Sequence, residues 1–243
     1  MTGTQEIMFN GHSLSEYGCV ILEPPKRPFP KRKYEKKSVY GRNGDLIIDS
    51  ETYENIKVTY KVATIPGLYG NRFVDEVLTE LKAAFCTSVE YIPLYDTELP
   101  DGFYLAFCAS ISDAVCTFDE MYEFDITFDC KPFFYYTNGQ KKLVSTNREF
   151  ELFNYGTQPS KPLIGIYGVG ELTCAINSQS FTVSNMTGNA SIDSEKMIII
   201  GNGINFSDNF EGDYPVFHVG ENAIAITGGA FGRVEIVPRW CRL

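Results

Sequence analysis

The chain has 243 residues, 44% of them hydrophobic and 14% aromatic, and a formal net charge of −10 at pH 7. This length can bury one large core or two of ordinary size, and the apolar content excludes a disordered chain. The acidic balance argues against ordinary nucleic-acid binding. The longest apolar runs are too short for a transmembrane helix, and the first residues lack the basic and apolar regions of a signal peptide.

Seven cysteines and two histidines are spread along the chain, and no C-x-x-C pair occurs. A zinc site normally needs closely spaced cysteine or histidine pairs. We therefore interpret the cysteines as reduced thiols in half-buried strands, and we predict no metal and no cofactor.

The first 23 residues predict a strand, a turn at Asn10-Gly11 and a short apolar run. A basic segment follows from Lys26 to Lys37, with seven basic residues and one acidic residue, whereas the rest of residues 1–136 holds 6 basic and 20 acidic residues. Four prolines at 24–30 predict an extended segment without regular structure. The segment is either a solvated connector or an arm that embraces an acidic neighbouring subunit. The candidate arm residues are Lys26, Arg27, Lys31, Arg32, Lys33, Lys36 and Lys37.

Two strands are predicted within residues 39–65, and the second alternates apolar and polar residues up to the turn at Pro66-Gly67. One helix is predicted over residues 72–85. Its apolar residues recur every four positions at Phe73, Val77, Leu81 and Phe85. Asn71 is the expected N-cap, and we expect the helix to cover one face of a sheet.

Two strands are predicted at 89–95 and 103–109, and the sharpest alternation in the sequence follows over residues 122–130. Apolar side chains point to one face, and Glu123, Asp125 and Asp129 point to the other. Carboxylates stacked on one strand face repel each other, so we expect this face to be solvated. Pro132 is expected to end the strand.

A polar stretch after Tyr136 predicts a division into an N-terminal domain, residues 1–136, and a C-terminal domain, residues 137–243. The second domain shows only short predicted strands, at 149–154, 163–169, 172–176, 180–184, 190–193, 197–200, 215–218, 223–227 and 233–237. Glycine-rich turns separate them, including Gly228-Gly229. Such spacing is typical of a β-sandwich or jelly roll. The fold class is therefore mainly β with one helix.

Residues arranged for catalysis are not evident in this sequence. Two histidines provide few general bases, and no G-x-S-x-G motif occurs. Gly168-Val169-Gly170 lacks the lysine and the helix of a phosphate loop, and we interpret it as a hairpin bend. Asp208, Glu211 and Asp213 do not have the spacing of an EF-hand calcium loop. We predict a protein that is not an enzyme and has no catalytic residues.

The C-terminal sequence GDYPVFHVGENAIAITGGAFGRVEIVPRWCRL closely resembles the end of the distal tail proteins of long-tailed bacteriophages. Shorter resemblances occur in the same order along the chain. They lie at residues 9–11, 41–45, 130–135 and 191–195. The sequence departs from the family at Val219, where a proline is usual, and at Cys241, where an aromatic residue is common.

This resemblance implies an N-terminal domain that closes into a homohexameric ring and a galectin-like C-terminal β-sandwich. It implies a structural virion protein at the distal end of the phage tail, made and assembled in the cytoplasm of the host bacterium. Its partners would be the tail tube protein, the tail-tip protein and other baseplate or receptor-binding proteins, with no membrane contact. DNA would pass through the ring without specific binding, and Glu123, Asp125 and Asp129 are candidates for lining the channel.

A carbohydrate-binding β-sandwich used in host adsorption is the alternative function. Such modules stack sugars on exposed aromatic rings. Aromatic candidates in the second half are Tyr155, Tyr167, Phe206, Phe210 and Tyr214. Core packing would explain most of these rings equally well.

Overall fold

The computed structural model describes residues 5–65, 67–68, 73–118 and 121–243. The chain divides into two compact units, unit 1 (Met1–Phe134 with Leu243) and unit 2 (Tyr135–Arg242). The sequence-based division at residue 136 lies beside this boundary, and independent folding of the two halves stays a prediction. Across the described ranges no helix is long and apolar enough to cross a membrane.

The predicted fold class is confirmed, because the structure is mainly β with a single α-helix in the described ranges. The strands of unit 1 are β1 (Ile7–Phe9), β2 (His12–Ser13), β3 (Cys19–Lys26), β4 (Arg32–Lys37), β5 (Leu46–Tyr53), β6 (Ile56–Thr64), β7 (Ile92–Asp96), β8 (Gly102–Ile111), β9 (Val115–Phe118) and β10 (Met121–Tyr136). The last two residues of β10, Tyr135 and Tyr136, belong to unit 2. The helix α1 spans Val74–Phe85, and a 3-10 turn spans Leu14–Tyr17.

Unit 1 is built on a sheet with the strand order β2-β1-β7-β8-β10-β6-β3, and β9 also pairs with β10. Helix α1 buries Val77, Leu81 and Phe85 in the same core as the apolar face of the sheet. The Phe85 ring lies 5.7 Å from Phe9 and 6.2 Å from Phe128, centroid to centroid. Each such buried side chain stabilises the fold by about 1.5–3 kcal/mol, so this contact fixes the helix on the sheet.

The start of the helix differs from the sequence prediction. Phe73 precedes α1 and its side chain is 77% exposed, so it does not belong to the buried stripe. Its backbone N–H donates to the Glu76 carboxylate at 3.3 Å, which satisfies one of the free N–H groups at this end. The predicted first helical residue, Arg72, the predicted N-cap Asn71 and Pro66 of the predicted turn lie outside the described residues.

Proline lies inside two strands that were predicted to end at it. Strand β3 continues through Pro24 and Pro25 to Lys26, and its register with β6 shifts twice over this stretch. Strand β10 continues through Pro132 to Tyr136, and its pairing with β6 ends at Cys130. Proline is tolerated where its missing N–H is not required by a neighbouring strand, as on an edge strand or beyond the end of a ladder.

The strands of unit 2 are β11 (Leu143–Ser145), β12 (Glu149–Asn154), β13 (Leu163–Ile176), β14 (Gln179–Asp193), β15 (Ile198–Gly201), β16 (Ile204–Asn205), β17 (Phe210–Gly212), β18 (Gly220–Val237) and β19 (Cys241–Arg242). Strands β11 to β18 form one hydrogen-bonded sheet with the order β11-β18-β13-β14-β15-β16, in which β12 also pairs with β18 and β17 with β14. Both halves of β13 contribute to one buried cluster, through Ile164 and Ile166 and through Leu172 and Cys174. The sheet therefore folds over on itself around this core.

The prediction of nine short strands in unit 2 is wrong in part, although the predicted strands 149–154 and 197–200 correspond to β12 and closely to β15. Three pairs of the predicted strands are continuous in the long strands β13, β14 and β18, and Phe217 of the predicted strand 215–218 makes only an isolated bridge to Ser160. Several glycines that suggested turns lie inside strands, among them Gly168 and Gly229. A Cβ on Gly168 would lie 2.6 Å from the Ala230 carbonyl oxygen, and one on Gly229 would lie 2.5 Å from that of Val169. These glycines allow bulged strands to approach closely, which a sequence pattern does not distinguish from a turn.

Trp240 anchors the end of unit 2. Its ring is 5% exposed and lies 5.4 Å from Phe217, centroid to centroid. The Trp240 carbonyl accepts a hydrogen bond from the Tyr136 N–H at 3.0 Å, and the Gly139 carbonyl accepts one from the Arg239 N–H at 2.7 Å. Residues 135–140 therefore belong to the same packed unit as the last strand.

Candidate assembly surfaces

The predicted basic arm, Lys26 to Lys37, is irregular only in its middle. Lys26 ends β3, residues 27–31 lie in no strand, and residues 32–37 form β4 of an exposed β-hairpin. Strands β4 and β5 pair only with each other and form a separate two-stranded sheet, the arm hairpin, residues 32–53. Gly41 and Gly44 have φ values of +78° and +84° in the loop between the strands, a conformation that favours glycine. The prolines of the basic segment all precede β4, so they do not interrupt its ladder.

Every residue from Lys31 to Thr52 is exposed. The arm hairpin carries large apolar side chains that are exposed to solvent, among them Tyr34 at 54% exposure and Ile47 at 63%. A two-stranded hairpin without a further packing surface is marginally stable in water. The exposed apolar residues thus belong to a segment that gains stability when another surface covers it.

Not all of the candidate arm residues are available for a partner. Arg32 donates from Nε to the Asp49 carboxylate across the hairpin at 2.9 Å. This hydrogen bond holds the pKa of Asp49 below its usual value. Arg27 lies before the hairpin and binds Asp96 of the same chain. The five lysines are exposed and form no ion pair within the described part of the chain: Lys26, Lys31, Lys33, Lys36 and Lys37.

The Arg27 contact belongs to a buried polar cluster in unit 1. The Asp96 side chain is 4% exposed, and the Arg27 side chain is 24% exposed. Asp96 also accepts hydrogen bonds from the Gln5 amide at 2.9 Å and from the Tyr60 hydroxyl at 2.8 Å. Burial, reinforced by the Asp96 carboxylate, raises the pKa of Tyr60. The cluster joins four segments of unit 1, and this is a structural role that the sequence pattern did not suggest for Arg27.

The acidic strand lies inside the main sheet of unit 1, on β10. Phe124, Ile126 and Phe128 point into the core, and Glu123, Asp125 and Asp129 project from the opposite face. Asp125 is exposed, and the other two are half-buried. The structure therefore brings the three predicted carboxylates together on one face of one strand.

Lysines of the neighbouring strand β6 share this face, which we call the charged sheet face. Lys61 lies directly opposite Asp125 in the ladder, and Lys57 lies opposite Asp129. The Lys61 ammonium contacts the Glu123 carboxylate at 3.1 Å, and this hydrogen bond raises the pKa of Lys61. Opposite charges at facing positions stabilise an antiparallel pair. The alternation of Lys57, Thr59 and Lys61 was visible in the sequence, but the register that sets it against the acidic strand was not.

Asp129 has further partners on the same face. Its Oδ1 accepts from the Asn55 amide at 2.6 Å and from the Tyr91 hydroxyl at 3.3 Å. The Lys131 ammonium lies 5.5 Å from the centre of the Tyr91 ring. The face is thus a network of polar contacts, in which three carboxylates meet two facing lysines.

Most of the aromatic candidates for sugar stacking serve other contacts. Phe210 and Tyr214 stack at 4.9 Å and pack against the core of unit 2, as does Phe206. Tyr167 lies 3.8 Å below the Arg233 guanidinium. Tyr155 is 70% exposed, beside Phe153 at 4.8 Å.

A shallow groove of about 550 Å³ lies elsewhere on unit 2, lined by Glu149, Glu151 and Asn177 with apolar neighbours. Tyr155 does not line it, so the exposed ring and the groove do not form one site.

Gly168-Val169-Gly170 lies at a bulge in β13 rather than at a hairpin bend. No cluster of three metal-ligating side chains occurs within the described ranges.

No family model matches this chain, and no curated relative matches it. Among solved structures, the chain is similar to the SPP1 Dit (gp 19.1) protein, described as a paradigm of the hub adsorption apparatus in phages that infect Gram-positive bacteria. The TM-score is 0.71 at 13% sequence identity, over 96% of this chain and 98% of that one. The resemblance to phage distal tail proteins is therefore confirmed at the level of the fold, from one end of the chain to the other.

Proposed function

We propose that this protein is a structural component of a phage tail, the distal tail or baseplate hub, and that six copies close into a ring. The observation that carries the proposal is the end-to-end fold similarity to a phage hub protein, which covers both units. The ring would join the tail tube protein to the tail-tip proteins and leave a channel for DNA. The work of the protein would be assembly rather than catalysis.

The arm hairpin supports self-association, and we propose a second copy of this chain as its partner. The hairpin carries three exposed lysines, Lys33, Lys36 and Lys37, and two more, Lys26 and Lys31, precede it, while the remainder of residues 1–136 is strongly acidic. It also exposes apolar side chains that nothing within its own sheet covers. A neighbouring copy of unit 1 would provide both the negative charge and the apolar contact.

The charged sheet face is the proposed lining of the channel, with Glu123, Asp125 and Asp129 directed inward. DNA carries one negative charge per roughly 1.7 Å of duplex axis, so a positive lining would retain it. The facing residues Lys57 and Lys61 balance most of the carboxylate charge. This lining would be close to neutral, and it would let DNA pass because it offers no net attraction.

The mass of the purified protein in solution, measured by analytical ultracentrifugation over a range of concentrations, tests the ring. The variant Lys31→Glu, Lys33→Glu, Lys36→Glu should shift the population from hexamer toward monomer, most strongly at low salt. The matched control makes the same charge change on exposed lysines of unit 2, Lys141→Glu, Lys161→Glu, Lys196→Glu, and should assemble as the parent does. A parent protein that stays monomeric at every concentration would contradict the ring. Equal assembly of the two variants would contradict the proposed contact.

The channel lining has its own test. The variant Glu123→Gln, Asp125→Asn, Asp129→Asn keeps the shape of the side chains and leaves Lys57 and Lys61 uncompensated. The ring should still form, and its binding to double-stranded DNA should rise and depend steeply on salt. If the ring forms and DNA binding does not change, the face does not line the channel.

The alternative function is carbohydrate binding by unit 2, and the exposed pair Phe153 and Tyr155 is the observation that favours it. Binding to host cell-wall polysaccharide that is lost in Tyr155→Ala would support this role. A protein that assembles into rings and shows no such binding would exclude it.

A further inference from the structure

Two cysteines of unit 1 from different elements lie side by side. Cys86 is the residue that ends helix α1, and its N–H donates to the Lys82 carbonyl. Cys108 lies in β8. The two Sγ atoms are 3.2 Å apart although the residues are 22 positions apart in the chain.

The two thiols differ in their access to solvent. Cys86 is exposed, whereas Cys108 is buried in the core beneath the helix. Burial, together with the neighbouring Cys86 thiol, raises the pKa of Cys108 well above its usual range. Reagents in solution can therefore reach Cys86 first. Cys108 is protected from them and reacts only with a sulfur that Cys86 carries.

We propose that Cys86 and Cys108 form a redox-sensitive pair, which closes into a disulfide when the protein meets a small-molecule disulfide oxidant. This inference rests on the geometry of unit 1 alone and does not depend on the proposed role in assembly. It extends the interpretation of the cysteines as reduced thiols, since these two are reduced only while the oxidant is absent.

The reaction proceeds in two exchange steps. The Cys86 thiolate attacks one sulfur of the oxidant, forms a mixed disulfide and releases the other half of the oxidant as a thiolate. The Cys108 thiol then loses its proton to solvent and attacks Cys86 Sγ, which forms the internal disulfide and releases the second half. Both protein thiols are oxidised and the oxidant is reduced to two thiols, so atoms and electrons balance.

The local structure suits this closure. A disulfide needs an S–S distance near 2.05 Å, so the sulfurs must approach by about 1.2 Å from their present separation. Cys86 lies just beyond the last helical residue, where the backbone is less constrained than inside the helix. The bond would tie the end of α1 to β8 and restrict the unfolded chain between them, so oxidation should raise the melting temperature by roughly 5–15 °C.

The test uses the full chain incubated with excess oxidised glutathione under native conditions, followed by intact mass and peptide mapping without reductant. We expect loss of the mass of two hydrogens, a linked peptide pair containing Cys86 and Cys108, and reversal by dithiothreitol. Cys86→Ser should prevent the link, and Cys116→Ser, which removes another exposed cysteine, should leave it intact. Cys108→Ser should hold the reaction at the glutathione adduct of Cys86.

Two results would overturn the proposal. One is a stable glutathione adduct on Cys86 in the parent protein, with Cys108 still reduced. The other is an unchanged pair of thiols under conditions that modify Cys116. The parent chain alone can give either result, so the conclusion does not depend on the folding of a variant.

Discussion

The buried Arg27–Asp96 contact should contribute far more to stability than the exposed Arg32–Asp49 contact, although the same residue types form both. In unit 1 the Asp96 carboxylate is nearly inaccessible and accepts from Gln5, Arg27 and Tyr60 and from the Glu98 N–H. The Asp49 side chain is 41% exposed, and its partner Arg32 is 51% exposed. Replacement of each aspartate by alanine therefore compares one buried and one solvated ion pair in a single protein.

The cost of Asp96→Ala follows from the donors that lose their acceptor. The Tyr60 hydroxyl is buried and cannot turn to water, which alone costs about 1–3 kcal/mol. Breaking a fully buried ion pair costs about 3–5 kcal/mol, and the partial exposure of Arg27 reduces that figure. We expect a total near 3 kcal/mol, or a melting temperature lower by on the order of 10 °C.

Urea unfolding followed by far-UV circular dichroism measures the difference. Asp96→Ala should lower the midpoint of unfolding clearly, and Asp49→Ala should leave it almost unchanged, because water screens the exposed pair. Equal shifts for the two variants would refute the reasoning. A small effect of Asp96→Ala would mean that water replaces the carboxylate at Tyr60 and Arg27.

Two further predictions concern unit 2. Burial raises the pKa of Asp193, but hydrogen bonds from Arg239 and from backbone N–H groups outweigh burial and leave the pKa below its usual value. The stabilisation is therefore present above the unfolded pKa of about 4 and is lost as the pH falls below it. The melting temperature of the parent should therefore depend more steeply on pH between about 4 and 2 than that of Asp193→Asn. A fragment of residues 135–243 should fold alone, as judged by Trp240 fluorescence and circular dichroism, whereas one of residues 143–243 should be less stable because it lacks the Tyr136 and Gly139 hydrogen bonds. Identical pH profiles would refute the first prediction, and equal stability of the two fragments would refute the second.

Periodicity predicted the local structure well where one face of an element is buried. The alternation over residues 122–130 and the four-residue recurrence at Val77, Leu81 and Phe85 both correspond to core-facing stripes. Such patterns arise because buried and exposed side chains alternate with a fixed period along a strand or helix that is covered on one face. They therefore gave the mainly β fold class and the single helix of the described ranges.

Glycine and proline were less informative, because their effect depends on the neighbouring strand. Gly229 lies inside β18 where β13 approaches closely, and Pro132 lies inside β10 where the pairing with β6 has ended. Both residues read as breaks when only the chain itself is considered. The lengths of the long strands therefore could not be obtained without the pairing.

Charge patterns identified exposed surfaces but not the partners of individual side chains. The seven basic residues of the segment 26–37 read as one arm, yet Arg27 is bound to a buried carboxylate 69 positions away and Arg32 is bound across its own hairpin. The acidic strand read as a surface of one sign, yet Lys57 and Lys61 face it from β6. Because each of these contacts depends on which segments meet, the sequence overstated the free charge of both surfaces. Five exposed lysines remain after the pairing, three in the arm hairpin and two before it. This residual charge, rather than the total, is what a neighbouring subunit of the proposed ring would meet.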